Sequence, residues 1–293
     1  MKKMHGVVPP MITPFKENGE LDVENLKTLV TYLSKNVDGL FVTGSYGSGP
    51  LMSLEERKKV VEVSLETAAG QIPVIPMVGT TNNSDSVELA KHAEDVGADA
   101  VAAVGPFYFS HKEDSIIQFY TDLIEAVKIP VYLYNNPNFQ GYPINIETIK
   151  ELKDRGLRGI KDATFDIIMH AKYQRLLSDD SFDVVLGTEA MFASACVLGC
   201  QAFIPGLANA FPEINREMFL AGMAQDNATC RTLQLEINEL RDVMYLARST
   251  QLAVYAMLEI REIMKAYPRR PFLPASEKEK EAIKKELLRL KVI

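Results

Sequence analysis

Residues 131–161 read VYLYNNPNFQGYPINIETIKELKDRGLRGIK. Two short apolar runs, Val131–Tyr134 and Gly159–Lys161, enclose the predicted helix Ile146–Lys153, and Gly156 stands where a helix C-cap is expected. A strand, a helix and a second strand in this order form a βαβ unit, in which the two strands run parallel. The segment therefore predicts an α/β fold.

The same alternation extends toward both ends of the chain. Eight short apolar runs are predicted strands: Gly6–Ile12, Gly39–Thr43, Val74–Val78, Ala100–Val104, Val131–Tyr134, Gly159–Lys161, Val184–Leu186 and Ala202–Ile204. The predicted helices between them are Val23–Lys35, Leu54–Ala69, Ser84–Val96, Ser115–Val127, Ile146–Lys153, Ile167–Leu177 and Ala190–Leu198. Ser53 and Ser84, each followed by acidic residues, are predicted N-caps. Eight such units in about 210 residues predict a closed (β/α)8 TIM barrel.

Beyond the eighth strand the pattern changes to helices alone. The predicted helices are Glu213–Ala224, Ala228–Arg248, Gln251–Ala266 and Glu277–Leu290. No linker or repeat separates this part from the rest of the chain. We therefore predict a catalytic barrel over residues 1–225 and a C-terminal helical extension over residues 226–293.

Composition and charge exclude several classes of function. The chain has 293 residues, of which 47% are hydrophobic, enough for a large core without disulfide or metal support. It carries 32 basic and 39 acidic residues, a net charge of −7, which argues against a nucleic-acid-binding surface. No apolar run reaches about 18 residues, so the sequence predicts no membrane span.

The cysteines and histidines are too few and scattered to predict a metal site or a disulfide framework. There are three cysteines, and an odd, sparse set suits a reducing compartment, so we expect a cytoplasmic protein. Cys196 and Cys200 are four residues apart, but no histidine or second cysteine pair lies nearby. Near the N-terminus, Pro9 and Pro10 interrupt an apolar stretch, which predicts a strand rather than a signal peptide.

The active site of a (β/α)8 barrel lies at the C-terminal ends of its strands. Lys161 ends the sixth predicted strand, which is too short and apolar to favour a charge there. A lysine inside the barrel mouth is partly desolvated, which lowers its pKa and frees the amine as a nucleophile. The alternative is a salt bridge with a neighbouring acid such as Asp162.

Two hydroxyl side chains at other strand ends fit the same chemistry. Tyr134 ends the fifth strand, and a phenol beside an amine can shuttle protons during imine formation. The alternative is packing, because Tyr132 and Tyr134 point the same way along the strand. Ser45 can relay protons with Tyr134, and the turn Ser45–Gly49 is either a carboxylate site made of backbone N–H groups or merely a tight turn. This turn lacks the GK[ST] of a nucleotide P-loop.

With these motifs, the chain resembles the pyruvate-dependent class I aldolase family, which includes N-acetylneuraminate lyase, dihydrodipicolinate synthase and 2-keto-3-deoxygluconate aldolase. The matching stretches span nearly the whole chain: PPMITPF (9–15), GSYG (44–47), SLEER (53–57), GAD (97–99), GPFY (105–108), YNNP (134–137) and GIKDAT (159–164). The resemblance implies a Schiff-base lysine at Lys161, a proton-handling tyrosine at Tyr134 and a hydroxyl relay through Ser45. It also implies that Tyr108 of a neighbouring subunit completes this relay, and hence a homotetramer of paired dimers.

Some positions depart from the family pattern. Tyr46 stands where most relatives have threonine, and Ser48 replaces a glutamate. Phe139 replaces the arginine with which dihydrodipicolinate synthases hold the second substrate's carboxylate, which argues against that activity.

Other stretches resemble the archaeal 2-keto-3-deoxygluconate aldolases. These are GSGP (47–50), VYLYNNP (131–137) and YPRRP (267–271). Those aldolases often accept the 6-phosphorylated acid through an arginine and a tyrosine, whose positions here are His111 and Asn136. This difference predicts a preference for the unphosphorylated substrate.

The resemblance thus implies a class I aldolase that reversibly cleaves 2-keto-3-deoxygluconate to pyruvate and glyceraldehyde. Backbone donors of Ser45 and Tyr46 are expected to hold the carboxylate. The other predicted substrate contacts are Asn136, Gly187, Thr188, Glu189 and Ile204. Glu189 is alternatively an acid favoured by a helix N-terminus.

We expect no metal or organic cofactor, and no nucleic acid or membrane as a partner. The expected partners are a keto sugar acid, pyruvate and further copies of the chain. One alternative is a lyase for N-acetylneuraminate or a related pyruvate-forming lyase. An alternative of a different class is a barrel that binds keto acids without catalysis.

Overall fold

The structure is a computed structural model that describes residues 3–293, so residues 1 and 2 of the predicted barrel range lie outside it. Eight strands alternate with helices. The strands are β1 (Gly6–Val7), β2 (Leu40–Val42), β3 (Val74–Pro76), β4 (Val101–Val104), β5 (Val131–Asn135), β6 (Gly159–Asp162), β7 (Asp183–Leu186) and β8 (Ala202–Phe203). The helices are α1 (Val23–Ser34), α2 (Leu54–Ala68), α3 (Asn83–Asp95), α4 (Glu113–Ala126), α5 (Pro137–Gln140), α6 (Ile146–Asp154), α7 (Ile167–Leu177), α8 (Phe192–Val197), α9 (Pro212–Met223), α10 (Asn227–Met244), α11 (Thr250–Ile260) and α12 (Glu277–Arg289).

The strands close into a ring. Six of them pair in parallel in the order β1-β8-β7-β6-β5-β4, and β2 pairs with β3. Isolated parallel bridges complete the ring, because Pro10 pairs with Phe41 on β2 and Met77 pairs with Ala102 on β4. The predicted (β/α)8 TIM barrel with helices after it is therefore confirmed.

Strand register decides which side chains face the barrel interior. Tyr134 on β5 lies directly beside Lys161 on β6, and both side chains point inward. Asn135 and Asp162 form the next pair in register. Because successive side chains on a strand alternate between faces, these two point outward, toward α7.

Several predicted elements are shorter in the structure, and the first strand and the eleventh helix differ most. The first predicted strand, Gly6–Ile12, keeps its ladder only over Gly6–Val7, since prolines 9 and 10 have no N–H to donate. The predicted helix Gln251–Ala266 ends at Ile260. There Ile263 N–H donates to Leu258 C=O and Glu262, with a φ of +57°, takes the left-handed place usually held by glycine.

Most helices begin after a residue whose side chain caps the first turn. Ser53 and Glu56 form the reciprocal capping box at the start of α2, as the sequence predicted. The prediction of Ser84 as an N-cap is wrong, because Asn82 accepts from Ser84 N–H and α3 begins at Asn83. The sequence reading missed the short helix α5 and two 3-10 turns, Gly49–Leu51 and Leu207–Asn209.

The C-terminal helices pack onto the barrel through one continuous core. Ile237 of α10, Met257 of α11 and Ile283 of α12 belong to the same buried cluster as side chains of the first and last barrel units. The division at residues 225 and 226 stays a prediction; α9 ends at Met223 and α10 begins at Asn227. Within residues 3–293, no helix is both long and apolar enough to span a membrane.

Candidate active site

The C-terminal ends of the strands surround a cavity of about 200 Å³. Its wall contains nine of the ten residues predicted for the site: Ser45, Tyr46, Tyr134, Asn136, Lys161, Gly187, Thr188, Glu189 and Ile204. They lie on or directly after five different strands, so only the closed barrel brings them together. The roles predicted for these residues stay predictions.

Lys161 is a buried amine with aromatic neighbours. Its Nζ lies 4.0 Å from the centre of the Phe41 ring and 3.9 Å from that of Tyr134. Aromatic faces attract an ammonium, but loss of water is the larger influence, and burial lowers the pKa of Lys161 to about 7. The alternative of a salt bridge with Asp162 is not what forms: that carboxylate accepts from Thr164 and meets His170 Nδ1 at 2.9 Å.

Tyr134 stands beside this amine, with hydroxyl and amide partners. Asn136 Nδ2 donates to its hydroxyl at 3.0 Å. Burial raises the pKa of Tyr134, whereas the hydrogen bonds with Asn136 and Ser45 act to lower it. Tyr132, one inward position earlier, donates to Asp183 Oδ2 at 2.5 Å. Of the two tyrosines, Tyr132 is thus hydrogen-bonded to a buried carboxylate, whereas Tyr134 lines the cavity.

The turn after β2 presents backbone donors to the cavity. Within the described chain, the N–H groups of Ser45 and Tyr46 have no hydrogen-bond acceptor. The turn is closed tightly, since a Cβ at Gly49 would lie 1.9 Å from Thr43 C=O. Thr43 has a φ of +55°, which is unusual for a β-branched residue. Two adjacent free N–H groups in such a turn form a concavity for an anion.

Glu189 takes part in a buried ion pair. Its carboxylate accepts from Arg241 at 2.7 Å, from Gly206 N–H at 3.1 Å and from Leu207 N–H at 3.4 Å. The N-cap position of α8 is Met191, without a side-chain hydrogen bond. The alternative of a helix-terminal acid therefore does not describe Glu189, whose carboxylate faces β8 and α10.

Gly187 and Thr188 shape the wall next to Glu189. Gly187 N–H donates to Asp162 C=O at 2.7 Å, and a Cβ at Gly187 would lie 2.7 Å from that oxygen. This close approach of β7 to β6 requires glycine. Thr188 is buried and its Oγ1 accepts from Ala190 N–H at 3.1 Å.

Three polar residues of the wall were missed from the sequence because they belong to the helical extension. Arg241 and Tyr245 of α10 line the cavity, and Arg241 also donates to Tyr245 Oη at 3.3 Å. Thr250 of α11 meets the Tyr46 hydroxyl at 2.7 Å. The spacing of Arg241 and Tyr245, four apart on one helix face, was the available signal, but nothing in the sequence directed that face to the barrel mouth.

The tenth predicted residue, Tyr108, lies away from the cavity, and so does His111, which was not predicted to belong to the site. The Tyr108 side chain is 85% exposed, has a φ of +80° and stacks edge-on against Phe109. Its role in a neighbouring subunit's site stays a prediction. His111, at a position where a phosphate-binding arginine was considered, lies in a surface groove near Tyr142.

A set of buried polar side chains lies behind the catalytic strands, on their outer face. This outer polar cluster consists of Asn135, Gln140, Asp162, His170 and Tyr173. Asn135 Nδ2 donates to Tyr173 at 3.1 Å, and Gln140 Nε2 donates to Asn135 Oδ1 at 2.9 Å. Burial lowers the pKa of His170, but the interactions with Asp162 and Cys200 together outweigh it, and the pKa is raised to about 9.

No three His, Cys, Asp or Glu side chains of the described chain are grouped so as to hold a metal ion. The three cysteines, Cys196, Cys200 and Cys230, are unpaired. Burial raises the pKa of the Cys196 thiol to about 11, which makes it a poor nucleophile. The chemistry available in the cavity is that of the amine, the phenol and the hydroxyl.

Known proteins are similar to this chain over nearly its whole length. The model of the dihydrodipicolinate synthetase family matches residues 3–290. The 4-hydroxy-tetrahydrodipicolinate synthase of Bradyrhizobium diazoefficiens is 29% identical over 288 residues, which cover 98% of this chain and 96% of that protein. The probable 2-dehydro-3-deoxy-D-pentonate aldolase of Escherichia coli is 30% identical over 97% of this chain and 96% of its own.

Among solved structures, KD(P)GA from T. tenax superimposes with a TM-score of 0.90 at 30% identity, covering 99% of each chain. The fold predicted from the sequence is thus shared by proteins with different named activities. These relatives include both synthases and aldolases, so they do not single out the 2-keto-3-deoxygluconate branch that the sequence motifs favoured.

Proposed function

Because the chain belongs to the dihydrodipicolinate synthetase family, we propose that it is a class I aldolase that reversibly cleaves 2-keto-3-deoxygluconate to pyruvate and glyceraldehyde. Enzymes of this family make or break carbon–carbon bonds, and the chain is such an enzyme. The proposal concerns which bond it breaks and in which substrate.

The observation that carries the proposal is the state of Lys161. Its amine is buried at the cavity wall, forms no ion pair within residues 3–293, and has a pKa lowered to about 7. A large part of the amine is therefore neutral near pH 7 and has an electron pair for attack on a carbonyl carbon. Tyr134, whose ring lies 3.9 Å away, is the proton donor and acceptor in reach.

Imine formation is the first half of the reaction. Lys161 Nζ attacks the C2 ketone and forms a carbinolamine. Tyr134 donates a proton to the C2 hydroxyl, water leaves, and a protonated imine remains. The free N–H groups of Ser45 and Tyr46 hold the carboxylate next to C2, which orients the imine.

Carbon–carbon cleavage follows from the charge on that imine. The electrons of the C3–C4 bond move toward the iminium nitrogen and leave an enamine on Lys161. The C4 hydroxyl loses its proton to Tyr134 as it becomes the aldehyde. A proton is then added to C3 and water hydrolyses the imine, which releases pyruvate and regenerates the amine.

A preference for the unphosphorylated acid is supported by charge around the far end of the cavity. Arg241 is the cation there, and it is already paired with Glu189 at 2.7 Å. A phosphate would lie beside the Glu189 carboxylate, which repels it. Neutral hydroxyl groups face no such repulsion, and Asn136 and Thr188 offer them polar partners.

A second candidate activity comes from the named synthases among the relatives. That reaction would join pyruvate to an aldehyde that carries its own carboxylate. The position considered for binding this carboxylate is Phe139, which lines the cavity with an apolar ring. A buried or half-buried carboxylate without a cationic partner is unfavourable, so the aldolase is the better supported activity.

The experiment that tests the proposal is reductive trapping. The protein is treated with pyruvate and borohydride, and the adduct is mapped by mass spectrometry. We expect one adduct, on Lys161, no adduct in Lys161→Ala and a normal adduct in Lys172→Ala, whose lysine is exposed on α7. Tyr134→Phe should still trap pyruvate but cleave the sugar acid at least about 100-fold more slowly.

Each contrary result has a separate meaning. Normal trapping in Lys161→Ala would reject the assigned nucleophile. Pyruvate binding without any trapping would favour the keto-acid-binding barrel. A panel of N-acetylneuraminate and 2-keto-3-deoxygluconate, with and without a 6-phosphate, then identifies the substrate by kcat/KM.

A further inference from the structure

Asn136 has one polar atom in the cavity wall without a partner. Its backbone N–H donates to Gln140 Oε1 at 3.2 Å, and its C=O accepts from Phe139 N–H and Gln140 N–H at 3.0 Å. Its Nδ2 donates to the Tyr134 hydroxyl at 3.0 Å. Its Oδ1 is buried and accepts no hydrogen bond from any residue of the described chain.

The direction of the Asn136 amide is set by its surroundings. Gln140 is held through Nε2 by Asn135 Oδ1 at 2.9 Å and by Tyr142 C=O at 2.8 Å, so its Oε1 faces Asn136. The Tyr134 oxygen accepts from Asn136 Nδ2 at 3.0 Å, as a hydroxyl oxygen can while its own proton is donated elsewhere. With Nδ2 committed to Tyr134, Oδ1 is the amide atom left for another donor.

A buried acceptor without a donor is costly. Leaving such a group unpaired is destabilising, so a site of this kind favours a ligand that supplies the missing proton. Only 4% of the Asn136 side chain is exposed, so bulk solvent does not reach it freely. The cavity that Lys161 and Tyr134 share is also lined by Asn136, so the donor is expected on the substrate.

The geometry of the reaction identifies which group this is. Lys161 is bonded to C2 and Tyr134 takes the proton of the C4 hydroxyl. Asn136 Nδ2 donates to the Tyr134 oxygen, so we expect a hydroxyl that reaches Oδ1 of the same amide to be one carbon beyond C4. Resting on the proposed function, we propose that Asn136 Oδ1 accepts a hydrogen bond from the C5 hydroxyl and selects substrates that carry it.

In the condensation direction, this hydroxyl is the 2-hydroxyl of the aldehyde. A site built to bind a hydroxyl rejects an analogue that lacks it far more strongly than an apolar pocket rejects an extra group. The enzyme should therefore join pyruvate to 2-hydroxyaldehydes in preference to aldehydes of the same length without that group.

The test compares three aldehydes of one chain length in condensation with pyruvate. They are propanal, 2-hydroxypropanal and 3-hydroxypropanal. We expect kcat/KM for 2-hydroxypropanal to exceed that for the other two by at least about 100-fold. Equal values for the three aldehydes in the unaltered protein would overturn the inference without any variant, and would show that Oδ1 is satisfied by water.

Two variants separate the two atoms of the amide. Asn136→Leu keeps the approximate shape and removes both atoms, and should reduce the preference to within about threefold. Asn136→Asp keeps an acceptor and removes the donor to Tyr134. It should retain the preference for 2-hydroxypropanal while slowing condensation with all three aldehydes. An unchanged preference in Asn136→Leu would overturn the inference.

The inference and the proposed function fail in different ways. Pyruvate trapping on Lys161 is measured in the same preparations and does not depend on the aldehyde. If the unaltered protein does not trap pyruvate on Lys161, the proposed function is rejected. Normal trapping together with equal aldehyde rates leaves the aldolase in place and rejects the role of Asn136.

Discussion

At the scale of single residues, the chemistry depends on an amine that is kept away from carboxylates. Asp162, the neighbour of Lys161 in sequence, is on the opposite face of β6 and is paired with His170. Inside the barrel the amine meets the rings of Phe41 and Tyr134 instead. The alternation of side chains along one strand thus separates the proposed nucleophile, Lys161, from the acid beside it.

The first prediction concerns the pH dependence of imine formation. Because burial lowers the pKa of Lys161 to about 7, the neutral amine is the minor form below pH 7 and the major form above it. The rate of trapping pyruvate with cyanoborohydride should rise about tenfold per pH unit below 7 and level off above about pH 8. The rate is measured by intact-mass spectrometry from pH 5.5 to 9.

Lys172→Ala is the control for this profile, since its lysine is exposed on α7. It should reproduce the unaltered curve. A trapping rate that still rises about tenfold per pH unit up to pH 9 would show that the reacting amine has ordinary basicity and would contradict the assignment.

At the scale of secondary-structure elements, the outer polar cluster ties α7 to the strands that carry Lys161 and Tyr134. His170 and Tyr173, three apart on α7, meet Asp162 on β6 and Asn135 on β5. All four side chains are buried. Since paired buried groups hold their partners in defined positions, this cluster fixes the two catalytic strand ends relative to each other.

The second prediction concerns the interaction between His170 and Asp162 in this cluster. The pKa of His170 is raised from 6.5 to about 9 in the folded protein, so its ion pair with Asp162 stabilises the fold fully below pH 6.5. That contribution is lost as the pH rises through 9. The difference in free energy of unfolding between the unaltered protein and His170→Gln should shrink by about 2–3 kcal/mol between pH 6.5 and 9.5.

Urea unfolding at fixed protein concentration measures this difference. His111→Gln, in a surface groove outside the cluster, is the matched control and should keep the slope of the unaltered protein. A constant difference between His170→Gln and the unaltered protein across this pH range would show that His170 is not protonated in the fold.

The end of a helix or strand could be predicted from the sequence only where a particular side chain marks that end. The start of α2 was predictable because Ser53 and Glu56 form its cap in sequence. The end of α11 was not, because Glu262 adopts the left-handed conformation without being glycine. The strands were predicted in the right places, but the ladder of β1 is shorter because Pro9 and Pro10 have no N–H to donate.

Which residues of the candidate site could be predicted also depended on how the sequence positions them. Lys161, Tyr134 and Ser45 were predictable because strand order alone brings strand ends to one mouth. Arg241 and Thr250 were not, because they come from helices whose docking on the barrel is a matter of tertiary packing. The pairing of Glu189 with Arg241 could be seen only in the folded chain.

At the scale of the whole molecule, several of the exposed hydrophobic side chains of residues 3–293 are grouped, and we single out two such groups. The rings of Tyr108 and Phe109 form one, and Ile168, Val197 and Leu198, on and next to α7 and α8, form the other. We propose that both are covered by further copies of this chain, as the resemblance to a tetrameric family implies. In that assembly Tyr108 of the partner subunit reaches the relay of Ser45 and Tyr134.

The third prediction tests this sharing of residues. Tyr108→Phe keeps the ring for packing and removes the hydroxyl, so it should assemble normally, trap pyruvate normally and turn over at least about 100-fold more slowly. Lys161→Ala has an intact Tyr108 and no nucleophile. Neither variant alone is active.

Mixed oligomers of the two variants should recover about a quarter of the unaltered activity, because half of random pairs contain one site with both groups. Unfolding and refolding the variants together provides the mixture. Refolding each variant separately and then combining them is the control. Absence of recovery in verified mixed oligomers would show that Tyr108 does not act across the subunit boundary.

The helical extension also bears on when the enzyme becomes complete during synthesis on the ribosome. The last barrel strand has left the tunnel once Phe203 has emerged, and Lys161 and Tyr134 are then already translated. Arg241 and Thr250, which pair with Glu189 and Tyr46 at the mouth, are added only later. A nascent chain that stops after α9 contains Lys161 but lacks the part of the cavity wall that Arg241 and Thr250 form, so these contacts are the last of the cavity to be completed.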